Sequence, residues 1–153
     1  MRNFDPRMSI RGMVIGTLTV LLAVSANAHV RVRPMDSKPG ATESYQVTVP
    51  TEGKVSTIRT ELVVPADVVI IAVDGSKPHV MRKDSNGATV IVWEDTIPPG
   101  NARQYLFTAR NPKGSSEIVW KAHQYFEDGT VTDWMDAPGS RRPASVTKLQ
   151  DAP

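Results

Sequence analysis

The chain has 153 residues, with 18 Lys and Arg against 16 Asp and Glu, three His and no Cys. The missing thiols exclude disulfides, thiolate metal sites, iron–sulfur clusters, blue-copper centres and cysteine nucleophiles. Three basic residues and one acid lie in the first 28 positions, leaving 15 of each beyond them, so no charge excess draws that remainder to nucleic acid or an anionic membrane.

Residues 1–11, "MRNFDPRMSIR", form a basic head through Arg2, Arg7 and Arg11. An uncharged apolar stretch, "GMVIGTLTVLLAVS", follows over 12–25, and Ala26 and Ala28 supply the small-x-small pattern of a signal peptidase site. The apolar run is short for a permanent membrane span. Residues 1–28 therefore read as a signal peptide, cut between Ala28 and His29. The expected mature chain of 125 residues, 29–153, fits one domain over 29–149 with a loose tail at 150–153. No second apolar span follows, so the expectation is a soluble periplasmic or secreted protein with no membrane anchor in the mature chain.

Beyond the leader the pattern is strand-like. "ESYQVTV" puts Tyr45, Val47 and Val49 on one face. "TIRTELVV" alternates through Ile58, Thr60, Leu62 and Val64. "VVIIAV" (68–73) is an unbroken apolar run, as in a strand buried on both faces. "TVIVW" (89–93), "ARQYLFTA" (102–109) and "EIVWKAHQYF" (117–126) follow, with Trp93 and Trp120 expected in the core. Breaker clusters separate the runs: "DGSKP", "SNG", "IPPG", "NPKGSS" and "EDGT". Asp128-Gly129 suits a tight two-residue hairpin turn, in which both central residues take positive φ. The tail "DAPGSRRPASVTKLQDAP" holds one more strand at 144–149. Many short strands and no helix predict an all-β protein, a β-sandwich of immunoglobulin or cupredoxin-like architecture.

Three residues carry the candidate chemistry. Once the leader is cut, His29 offers a free α-amine and an imidazole Nδ1 on one residue. Two such nitrogens chelate a metal in a plane, which suits Cu(II). The alternative is that histidine at the cut is incidental. Glu52, in "VPTEG" beyond a strand end, can add an oxygen ligand or be a solvated loop acid. Trp134, in "DGTVTDW", can flank a metal or fill a sandwich edge. His79 and His123 read as surface histidines without metal-ligand spacing. Met81 and Met135 are isolated and form no Cu(I) site. Phosphate-loop, nucleophile-elbow, zinc-protease and EF-hand motifs are missing, and Glu94-Asp95 and Glu127-Asp128 are poorly spaced for acid–base pairs.

In order along the chain, "HVRVRP", "YQVTVPTEG", "TELVVP", "VWEDTIPPG", "FTARNP" and "WKAHQYFEDGTVTDW" resemble the YcnI-like domain of exported bacterial proteins. The resemblance spans about residues 29–149. It implies a β-sandwich that binds Cu(II) through an N-terminal single-histidine brace. It assigns His29 and Glu52 to the metal and sets Trp134 beside them. It assigns no role to His123. Some relatives end in a transmembrane anchor; none is expected in the mature chain here.

The reading that follows is an exported, non-enzymatic copper-binding protein that buffers, delivers or acquires Cu(II). A copper-trafficking or membrane transport protein is the expected partner. Two alternatives remain. One is a copper-dependent oxidase of the histidine-brace type, which would want a second histidine and an aromatic substrate face, against only three Phe and three Tyr in the chain. The other is a metal-free sandwich that binds a protein.

Overall fold

The computed structural model describes residues 29–151, so the expected leader lies outside the described residues. Eleven strands and no helix are found among them. They are β1 (Arg31–Arg33), β2 (Asp36–Ser37), β3 (Thr42–Pro50), β4 (Thr57–Val64), β5 (Val69–Val73) and β6 (His79–Lys83). β7 (Thr89–Trp93), β8 (Ala102–Arg110), β9 (Glu117–Phe126), β10 (Val131–Trp134) and β11 (Ser145–Leu149) complete the set. They form two sheets of a sandwich. One has the order β1-β3-β8-β5. The other runs β2-β11-β9-β4-β7-β6, with β10 also paired to β9. The all-β sandwich expected from the alternating runs is the fold observed.

Period two explains the core. Tyr45, Val47 and Val49 of β3 and Tyr105, Phe107 and Ala109 of β8 face Leu62 and Val64 of β4 and Ile118, Trp120 and Ala122 of β9. Each large apolar side chain buried this way contributes about 1.5–3 kcal/mol. Tyr45 stacks on Phe107 at 5.3 Å and meets Trp120 at 4.9 Å, while Trp93 stacks on Tyr105 at 4.5 Å. Trp93 and Trp120 are thus core residues, as their strand positions predict.

Three local expectations are corrected. The apolar run at 68–73 is not buried on both faces: β5 is an edge strand, and Val69 and Ile71 are exposed. A register shift between Ile70 and Ala72 leaves Ile70 and Val73 as its contribution to the core. The strand buried on both faces is β7, flanked by β4 and β6. Ile58, expected on the inner face of β4, is exposed because a second irregularity between Thr57 and Arg59 breaks the alternation and buries Thr57 instead. The turn at Asp128-Gly129 is also longer than two residues. Phe126 donates its N–H to the Thr130 carbonyl, and only Gly129 has positive φ (82°). That is a three-residue hairpin ending in a left-handed glycine. The Asp128 carboxylate accepts from the Thr130 N–H and hydroxyl, which replaces the second strained residue.

β10 and β11 lie one after the other along the same edge of β9, opposite Ala122–Tyr125 and Glu117–Trp120 respectively. The chain between them, 135–144, loops out at that junction. It is pinned by its own backbone: Met135 and Asp136 both donate to the Arg142 carbonyl, and Ala144 donates to the Asp136 carbonyl. No helix among the described residues is long and apolar enough to cross a membrane.

Candidate metal centre

Trp134 ends β10 opposite Ala122 of β9. Sharing the parity of Ala122 and Trp120, its indole turns inward and is 7% exposed. A buried indole N–H needs an acceptor. It finds the Gln124 Oε1 at 3.1 Å. The other end of the same amide donates to the Pro50 carbonyl at 2.9 Å and to the Thr57 hydroxyl at 2.7 Å. Thr57 and Thr51 share a further hydroxyl bond of 2.7 Å. One buried polar chain therefore joins the end of β10, the end of β3 and the start of β4. Both strand ends that flank Glu52 are tied to the residue that holds Trp134.

Glu52 follows this anchor. Thr51 is fixed on both sides, donating to the Asn101 carbonyl and accepting from the Gly100 N–H. Gly53 then turns the chain with φ of 86°, a left-handed conformation that favours glycine. The turn leaves Glu52 exposed on the rim of a depression of ≈ 200 Å³, shared with Gln124, Phe126, Trp134, Arg141 and Arg142.

His29 arrives from the other direction. Val30 and Val32 are buried in the core and fix the start of β1, so the residue before them is held at the sandwich edge. The His29 ring lies 5.6 Å from that of Trp134, with the planes at 63° in an edge-to-face contact. It also lines a larger hollow of ≈ 530 Å³ with Met35, Pro138, Pro143 and Val146. The structure thus brings His29 and Glu52 each to Trp134. The indole, not a direct hydrogen bond, is what they have in common.

The remaining histidines lie elsewhere. His79 opens the edge strand β6, its Nδ1 3.2 Å from the Lys77 carbonyl. Four strand spacings, roughly 19 Å, separate β6 from β10. His123 sits on the outer face of β9, its Nδ1 2.6 Å from Asp133 Oδ1. The sheet itself separates it from Trp134.

Sequence reasoning missed Gln124 and the arginine pair. Gln124 had a readable signal: it shares the inward parity of Trp120 and Ala122, and a polar residue on an apolar face needs partners. Arg141 and Arg142 had none, because only the folding back of 135–144 sets them near Glu52.

Among the described residues no group of three or more His, Asp or Glu side chains could hold a metal ion. A metal held by both His29 and Glu52 would have one imidazole and one carboxylate as side-chain donors. Cleavage before His29 would add the α-amine as a third. An imidazole, an amine and an anionic oxygen form a donor set that Cu(II) accepts.

Comparison with known proteins adds the lineage. The family described as "Domain of unknown function (DUF1775)" matches residues 73–152, a span that holds Trp134 and the loop after it. The copper-binding protein CutI of Bacillus subtilis (strain 168) is 32% identical over 145 residues, covering 91% of this chain and 70% of that protein. Among solved structures, an uncharacterized protein from Nocardia farcinica with an immunoglobulin-like fold superposes with a TM-score of 0.67 at 16% identity, over 81% of this chain and 99% of that one. The human F-spondin reeler domain follows with 0.52 at 17% identity, over 80% and 91%. These two likenesses concern the fold alone. With the profile match over more than half of the chain and the curated relative over most of it, the chain belongs to the DUF1775 family, the YcnI-like domain its motifs resemble.

Proposed function

We propose that this is an exported, non-enzymatic copper-binding protein that holds Cu(II) at the edge of the sandwich. His29, as the first residue after cleavage, supplies the α-amine and the imidazole Nδ1. Glu52 supplies an anionic oxygen. Trp134 stands against the imidazole, fixing its plane and shielding one side from water, without ligating: its indole N–H has no free lone pair. The protein buffers, delivers or acquires copper outside the cytoplasm and exchanges it with a trafficking or transport protein.

The observation that carries this reading is the edge-to-face contact of His29 with Trp134, on the indole that also borders the Glu52 depression. His29 comes from the start of the domain, Trp134 from near its end, and Glu52 from the connection that carries the chain from one sheet to the other between β3 and β4. The copper binding named for the Bacillus subtilis relative supports the same choice of metal. Processing decides the test. Any residue before His29 turns the amine into an amide and removes a ligand. Protein beginning at His29 is expected to bind one Cu(II) at least tenfold more tightly than protein carrying one added N-terminal residue, in a calorimetric or competition titration. Equal affinities would remove the brace from the site.

A further inference from the structure

His123 and Met135 are isolated along the chain and neighbours in the fold. β9 and β10 pair antiparallel, with His123 opposite Asp133. Trp134 points inward, so alternation turns Asp133 and Met135 to the outer face, where His123 lies. Met135 is thus the diagonal neighbour of His123, two residues beyond its direct partner. Long side chains reach across such a diagonal. The right-handed twist of an antiparallel pair closes this diagonal and opens the opposite one. Both residues line one hollow of ≈ 510 Å³ on the outer face.

The histidine is set up as a donor. Asp133 Oδ1, 2.6 Å from His123 Nδ1, accepts the Nδ1–H hydrogen bond and leaves the lone pair on Nε2. No partner for Nε2 is found among the described residues. A carboxylate behind an imidazole fixes the ring and raises its basicity toward a metal. Met135 adds a thioether, a soft donor that selects Cu(I) over harder ions. The walls beside them are apolar, through Val63, Pro65 and Val119. Lys121 also lines the hollow, but Asp84 on its rim and Asp133 behind the imidazole offset that charge, so a singly charged cation is not driven out. Glu61, opposite His123 on β4, is already taken up by Arg59 and Arg82. None of these residues belongs to the Cu(II) site proposed above.

We propose that His123 Nε2 and Met135 Sδ hold one Cu(I) on the outer face of the β9–β10 pair, with Asp133 as the positioning residue for the imidazole. Trp134, between Asp133 and Met135 in sequence, faces the Cu(II) site on the inner side. The two oxidation states of copper then have separate places on opposite faces of one strand.

The test uses protein beginning at His29, labelled with carbon-13 at the methionine methyls and nitrogen-15 in the imidazoles. Cu(I) is added without oxygen as its acetonitrile complex, and affinity is read by competition with bicinchoninate. Cu(I) is diamagnetic, so the resonances of its ligands shift instead of vanishing. The Met135 methyl and the His123 Nε2 are expected to shift together and saturate at one equivalent. M135L and H123Q should each weaken Cu(I) binding at this site at least tenfold, while the paramagnetic spectrum of the one-to-one Cu(II) form stays unchanged. D133N should convert the His123 ring from a single Nδ1–H tautomer to a mixture, visible in the nitrogen shifts before any metal is added, and weaken Cu(I) in step. Amide spectra of the variants check that the fold is kept. No shift at Met135, shifts confined to His29 or to His79 and Met81, or unaltered Cu(I) affinity in M135L would each overturn the proposal. Loss of Cu(II) binding with Cu(I) binding intact would instead strike the His29 site alone.

Discussion

Gln124 is the residue whose removal should do most to the site without touching a metal ligand. In Gln124→Leu, three buried hydrogen bonds disappear: from the Trp134 indole, to the Pro50 carbonyl and to the Thr57 hydroxyl. The side chain is 1% exposed, so water cannot take over at little cost. At about 1 kcal/mol net for each bond the loss is about 3 kcal/mol, and groups left unsatisfied push it upward. Leucine's apolar burial returns part of that, giving an expected destabilisation of roughly 2–4 kcal/mol. For a domain with ordinary total stability this is a large share. Urea denaturation should show it as a midpoint lowered by roughly 2 M, using an ordinary slope for small proteins. A double-mutant cycle with Trp134→Phe isolates the indole bond, and the coupling should be about 1 kcal/mol. Copper affinity should fall as well, since Trp134 and the Glu52 turn both hang on this amide. A destabilisation below about 1 kcal/mol, or strict additivity in the cycle, would refute the view that this network sets the site.

Three further outcomes are expected. Glu52→Gln keeps size but removes the anionic oxygen, and should weaken Cu(II) binding and shift its paramagnetic spectrum; an unchanged spectrum and affinity would return Glu52 to solvent. One equivalent of Cu(II) should quench part of the tryptophan emission of processed protein, and Trp134→Phe should abolish most of that quenching while a one-to-one complex persists; undiminished quenching would move the metal toward Trp93 or Trp120. Burial, with help from the Glu43 charge, pushes the Tyr45 phenol up to about 12, and burial with the Asp95 charge raises Tyr105 as well. The unfolded chain ionises its phenols near pH 10, so it sheds protons first. Stability should therefore hold up to about pH 10 and fall as pH rises toward about 12. Thermal melts across that range, alongside tyrosinate absorbance, check this; a midpoint that stays flat would contradict it.

Fold class and the three residues worth testing were legible in the alternation and motifs of the chain. Side chains alternate across a strand whatever its neighbours, so Tyr45, Val47 and Val49 could be placed on one inner face, and Trp93 and Trp120 in the core, from spacing alone. His29 stood out by its place after the expected cut, Glu52 and Trp134 by their motifs. Tertiary structure alone decided what alternation cannot encode. Whether an apolar run is central or at an edge depends on which strands pair with it, which is why 68–73 proved to be an edge and β7 the strand buried on both faces. The shift that exposes Ile58 arises where β4 meets β9, not within β4. Residues 135–144 looked like part of a tail, yet β10 and β11 share one edge of β9, and the chain joining them must leave and return at a single place. That constraint is long-range, and it carries Arg141 and Arg142 to the depression of Glu52 and Trp134. Local pattern fixes the face a side chain points to; only pairing between distant strands fixes what it meets there.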